Sequence, residues 1–157
     1  MNRKVVNNLI QEINYDVWRK NPWCYVKLQS LLEIAVDKYL WSVFSLPDDQ
    51  SLKYKIDIVS GRLSQNLESI YELNRKANDI KHNSGKEVRF EFDFLKKYFA
   101  EYNGFIKSTL PNMTDLFLDE SIFNPQSTIF DNKQQIERIV EKAVPNIQKK
   151  TEKIHLY

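Results

Sequence analysis

The chain has 157 residues, 42% of them apolar and 28% charged, with a formal charge of +2. That composition excludes a disordered polyelectrolyte, and the small net charge gives no ground for assigning a polyanion partner from charge alone. Three glycines and five prolines leave few chain breakers, so helices are favoured over a many-turned β fold. Cys24 is the single cysteine, which excludes an intrachain disulfide and a cysteine-based zinc site. Beside Trp23 and Tyr25 it reads as a small buried hydrophobe.

The apolar spacing predicts a first helix over 3–14, with Val5, Val6, Leu9, Ile10 and Ile13 inward. Asn7, Asn8, Gln11 and Glu12 interrupt it, so it is not expected to be a signal peptide, and no apolar run is long enough to span a membrane. The expectation is a cytoplasmic protein. Asn21-Pro22 breaks the chain. A long helix over 23–44 follows, apolar around more than half its circumference, and is expected at the centre of a bundle. Leu46-Pro47-Asp48-Asp49 ends it and can cap a third helix reaching Ser60, with Gly61 as a kink or interruption.

From Leu63 a further amphipathic helix is expected, with Leu63, Leu67, Ile70, Leu73, Ala77 and Ile80 on one face and a stop at Asn83-Ser84-Gly85. Residues 87–105 read as a helix with Phe92, Leu95, Phe99 and Tyr102 inward. The alternation of Phe90, Phe92 and Phe94 suits a short strand, but the helical spacing continues to Ile106. Residues 109–131, with Pro111 and Pro125, are expected to be an ordered loop with short turns. A last helix is expected over 132–144, stopped by Pro145, with a partly helical or disordered tail over 146–157. Lys and Arg are absent from 108–132 and frequent after it, and both stretches read as solvated faces of a soluble domain. The sum is one all-α domain over 1–157, an up-and-down helical bundle of four to six helices.

The candidate chemistry lies in Glu72-Leu73-Asn74-Arg75-Lys76-Ala77-Asn78-Asp79-Ile80-Lys81-His82-Asn83. Tyr71, Arg75, Asn78 and His82 recur at helical spacing on a face about a third of a turn from the apolar one. The bland reading is a surface arginine paired with Asp79 and a histidine favoured by the helix macrodipole. The chemical reading is metal-free RNA cleavage. A histidine titrating near neutrality can move a proton at the 2′-hydroxyl or the leaving oxygen. An arginine can grip a phosphate in a fork and stabilise the charge developing there. Asn78 can orient the imidazole or bind a phosphate oxygen. One Arg and one His make a sparse site, which two copies related by a two-fold axis would double. Lys76, Lys81 and Lys86, with Arg89, fit a phosphate-facing, RNA-binding surface.

Arg75, six intervening residues and His82, with Asn78 four before the histidine, resemble the R-x(4–6)-H signature of the HEPN superfamily, α-helical domains of bacterial toxins, phage-defence proteins and RNA-processing factors. Ala77 stands where some bacterial members have the glycine of a GN-x-x-x-H helix. The resemblance implies a HEPN-like bundle, a homodimer, and Arg75 and His82 as the catalytic pair with Asn78 in support. It also implies an antitoxin or defence-system partner. Lys76 departs from the polar residue that often follows the arginine, and Ser84 stands where antitoxin-modified members have tyrosine, so modification there is not implied. Some members are inactive, so a non-catalytic module for dimerisation or partner binding is the alternative.

His155 reads as a tail residue. No histidine–carboxylate cluster has ligand spacing, so neither a metal nor another cofactor is expected. No glycine-rich phosphate loop is present, which excludes a P-loop or Rossmann nucleotide site. Trp18, Trp23, Tyr25, Tyr39 and Trp41 can stack on bases, but aromatic side chains more often build core and interface.

Overall fold

The computed structural model describes residues 2–45, 49–82 and 87–124. The expected last helix over 132–144, the tail over 146–157, His155, residues 125–131 of the expected loop, Leu46-Pro47-Asp48, the Asn83-Ser84-Gly85 stop and Lys86 lie outside the described residues. Among the described residues, five α-helices pack into an all-α bundle: α1 (Arg3–Trp18), α2 (Cys24–Phe44), α3 (Leu52–Arg62), α4 (Glu68–Lys81) and α5 (Phe92–Thr109). Among the described residues there is no strand, so the Phe90–Phe92–Phe94 alternation makes none. The described residues up to Glu120 belong to one compact unit, and Ser121–Asn124 to a second.

The helix α1 starts on Asn2, whose side chain accepts from the Lys4 N–H at 2.9 Å. It runs four residues past the predicted end because Asp16 and Val17 are buried and extend its packed face. Buried Asp16 is held by Lys27 at 2.8 Å. Val5, expected inward, is 54% exposed, since the buried stripe passes through Val6 and Ile13 instead. A Schellman turn ends α1: Lys20 takes φ 57°, its N–H donates to Val17 O at 3.1 Å, and the Asn21 N–H donates to Asp16 O at 2.9 Å.

The central position expected for the second helix is found, for α2 packs against each of the other four. Cys24, Tyr25, Leu28, Leu31, Leu32 and Ala35 are fully buried. Burial pushes the Cys24 thiol far above its ordinary range, so it is an inert core residue. The far end of α2 is different, with Trp41, Val43 and Phe44 exposed.

Ser51 caps α3, its Oγ accepting the Tyr54 N–H at 3.2 Å. Lys55 of α3 is buried against Asp37 (2.7 Å) and Glu33 (3.3 Å) of α2. Burial opposes its charge, but those two carboxylates outweigh it and raise its pKa. Gly61 is accommodated inside α3 and does not break it; the break follows at Leu63, whose backbone is extended. The next helix therefore begins at Glu68 and not at Leu63. The Asn66 side chain accepts the Glu68 N–H at 2.9 Å, and this local bond competes with helix over 63–66.

The fifth helix also starts later than predicted, at Phe92 instead of 87. The Tyr25 hydroxyl explains the delay: it donates to Arg89 O at 3.0 Å and accepts the Glu91 N–H at 2.8 Å, fixing an extended lead-in. Phe92, expected inward, is 40% exposed, and Phe94 takes the buried position ahead of Leu95, Tyr98, Phe99 and Tyr102. Over 110–120 the chain is ordered by α5. Tyr102 Oη donates to Leu116 O at 2.8 Å, and the Asn103 side chain bonds both backbone groups of Leu118. Two 3-10 turns, Thr114–Leu116 and Glu120–Phe123, match the short turns expected there.

Candidate functional site

The helix α4 buries Ser69, Ile70, Leu73, Asn74 and Ala77. The apolar members follow the predicted stripe, with Leu67 buried just before it and Ile80 half-buried beyond it. Arg75 is exposed, and His82 is exposed at the C-terminal cap. Seven positions at about 1.5 Å rise separate their Cα atoms by about 10 Å along the axis. The His82 N–H donates to Asn78 O at 2.9 Å, tying its backbone to the last full turn.

The structure brings Asn78 to α2, and no hydrogen bond joins the Arg75, Asn78 and His82 side chains to one another. Gln29, 5% exposed on α2, donates through Nε2 to Asn74 Oδ1 at 2.8 Å and to Asn78 Oδ1 at 3.0 Å. Its Oε1 accepts from Lys81 Nζ at 3.0 Å. Asn74, Asn78 and Lys81 stand at i, i+4 and i+7, one row on α4, so a single amide can reach all three. Each such bond stabilises by about 0.5–1.5 kcal/mol net, whereas leaving the buried amide unsatisfied costs about 1–3 kcal/mol. Sequence reasoning missed Gln29 and Asn74. The available signal was a lone amide between Leu28 and Leu31 in an apolar helix, and a second within the Leu73–Ala77 stripe.

Lys76 is likewise engaged. Its Nζ lies 3.0 Å from Glu91 and 3.5 Å from Glu72, and 5.0 Å from the centre of the Phe94 ring, with Tyr25 on its other contact at 5.7 Å. With the side chain only 16% exposed, it joins α4 to the lead-in of α5. Of the three lysines expected to face RNA, Lys76 and Lys81 therefore have partners inside the fold, and Lys86 lies outside the described residues. Arg89 is exposed, 3.5 Å from Glu87.

Tyr71, the first residue of the polar row, is tied to α3: its hydroxyl donates to Asp57 Oδ1 at 2.6 Å. That bond holds the Asp57 carboxyl below the usual carboxylate range. Among the aromatics proposed for base stacking, Tyr25 and Tyr39 are core residues, while Trp23 and Trp41 are 51% and 61% exposed.

Among the described residues no group of three or more His, Cys, Asp or Glu side chains is placed to hold a metal. No helix among them is long and apolar enough to cross a membrane. No protein-family model, curated protein or solved structure matches the chain.

Proposed function

We propose that the chain is a HEPN-like, metal-independent endoribonuclease of a toxin–antitoxin or phage-defence system, acting in the cytoplasm as a homodimer. The observation that carries this reading is the exposure of Arg75 and His82 on a helix whose other polar row is locked to α2. A guanidinium and an imidazole about two turns apart on one chain make a sparse site. A second copy supplies the missing pair. His82 moves the proton, because an imidazole nitrogen can both accept and donate one, and Arg75 binds the phosphate, because a guanidinium offers a charged fork of N–H donors.

The test is incubation of wild type, His82→Ala, Arg75→Ala and Asn78→Ala with total RNA in EDTA, followed by mapping of the ends. Cleavage by wild type is expected to leave 2′,3′-cyclic phosphates. His82→Ala is expected to slow it by about 10²–10⁴-fold. Arg75→Ala is expected to remove detectable cleavage, and Asn78→Ala to have a smaller effect. Undiminished cleavage by His82→Ala, or a requirement for magnesium, sinks the mechanism. Light scattering at tens of micromolar is expected to give a dimer, which corresponds to only about 6–7 kcal/mol of association.

A second reading, a non-catalytic module that dimerises or binds a partner through α4, is favoured by the internal partners of Lys76, Asn78 and Lys81. A dimer that cleaves no RNA would select it.

A further inference from the structure

We infer that Gln29 is a positioning residue for the Arg75/His82 site, fixing the last turns of α4 on which His82 stands. The inference rests on the ribonuclease reading above and adds to it a residue from another helix, 49 positions from Asn78 in sequence.

Apolar packing of α4 weakens toward its end. Ala77 is its last fully buried residue; Asn78, Asp79 and Ile80 are half-buried, and Lys81 and His82 are exposed. Helix ends fray unless something holds them. Here Gln29 holds two points of the closing turns, Asn78 at 3.0 Å and Lys81 at 3.0 Å. It is itself seated between Leu28 and Leu31, both fully buried in α2. From Gln29 the connection to the imidazole is short. Its amide fixes the Asn78 side chain, and the Asn78 carbonyl accepts the His82 N–H at 2.9 Å.

The chemistry of this clasp selects glutamine. Lys81 only donates, so it fixes the carbonyl end of the Gln29 amide toward itself and turns the two N–H bonds toward Asn74 and Asn78. Leucine can make none of these bonds. Glutamate can hold Lys81, and can hold the asparagines once both amides rotate to donate. Two ionised carboxylates at positions 29 and 74 have no proton to place between them and repel each other.

The experiment compares wild type with Gln29→Leu, Gln29→Glu, Asn74→Asp and the Gln29→Glu/Asn74→Asp double variant, each assayed for RNA cleavage well below its own melting temperature. In parallel, the His82 ring is followed by NMR in a His155→Asn background, where it is the single imidazole. Gln29→Leu is expected to lower kcat by about 10- to 100-fold with KM nearly unchanged, the signature of a misplaced catalytic group. Gln29→Glu is expected to recover most of that loss. Asn74→Asp alone is expected to stay close to wild type, and the double variant to fall with Gln29→Leu. The His82 ring signals should shift or broaden in the two defective variants only.

Gln29→Leu turning over like wild type, a loss confined to KM, or a Gln29→Glu protein no better than Gln29→Leu would overturn the inference. If Gln29→Leu does not fold, the single and double polar variants decide it on the same criteria. Absence of cleavage by wild type removes the ribonuclease reading instead. In that event unchanged His82 ring signals in the double variant overturn the positioning role, and altered ones uphold Gln29 as the residue that orders this turn.

Discussion

At its first turn α4 receives a carboxylate from α5: Glu101 Oε2 accepts the Ile70 N–H at 2.9 Å. Leu67, the residue in the cap position, has no side chain to do this itself. In its second half the same helix receives a neutral amide from α2, with Gln29 contacting Asn74, Asn78 and Lys81. The first junction satisfies an orphan N–H and meets the positive end of the helix dipole with negative charge. The second satisfies buried side chains in the middle of the helix and continues to its exposed end. The difference lies in what each junction holds. A carboxylate cap fixes where α4 begins and leaves its surface free, whereas a three-point amide clasp fixes the rotation of the turns that carry Asn78 and His82.

Between the two junctions lies Leu73, fully buried. Its replacement by alanine is the largest break in the comparison. Leu73→Ala is expected to cost about 2–5 kcal/mol of stability, read from urea unfolding by circular dichroism. If α4 is one cooperative segment, amide hydrogen exchange at both ends should accelerate together. Acceleration at one end alone would make the two junctions independent, and the comparison would become one between two separately stable pieces.

Neighbouring polar residues sharpen it. Asn74→Ala removes one acceptor from Gln29 and is expected to cost about 1–3 kcal/mol. Arg75→Ala, one position on and exposed, should stay within about 0.5 kcal/mol of wild type. Equal effects in the same denaturation series would mean that the clasp is not a buried polar contact.

This contrast also marks what the sequence could disclose. The stripe through Ile70, Leu73 and Ala77 was legible because a 3.6-residue period is a property of the segment itself. So were the centrality of α2 and the burial of Cys24, which follow from apolar content. Helix starts at Glu68 and Phe92 were missed by about five residues, because Asn66 and the Tyr25 hydroxyl satisfy backbone groups that the helix would otherwise use. Asn78 was legible as a polar residue off the apolar face, but its partner was not. Gln29 lies 49 positions away, and nothing local to α4 points to it. Lys76 and Lys81 looked like free cations for the same reason, since their partners Glu91 and Gln29 belong to the lead-in of α5 and to α2. Exposure of Arg75 and His82, in contrast, was implied by their angle to the stripe.

A smaller effect than that of Asn74→Ala tests the N-terminal junction and carries a pH signature. Burial raises the Glu101 carboxyl above its ordinary range, and the N–H bonds from Ile70 and Ser69 oppose that rise without cancelling it. A carboxyl whose pKa is higher in the folded than in the unfolded chain binds its proton more tightly when folded. The stability it contributes is therefore fully present below the unfolded value and is lost as pH rises through the folded one. Glu101→Gln keeps an acceptor oxygen for the Ile70 N–H and cannot titrate. It is expected to match wild type at acid pH and to equal or exceed it at neutrality. Glu101→Ala loses the cap and should cost about 0.5–2 kcal/mol at every pH where the protein folds. Chemical denaturation of the three proteins between about pH 4 and 7 spans the ordinary carboxylate value and the region above it. If the gap between wild type and Glu101→Gln moved in wild type's favour with rising pH, the carboxylate's bonds to α4 would outweigh its burial. The N-terminal junction would then be an electrostatic clasp as specific as the amide one at the other end.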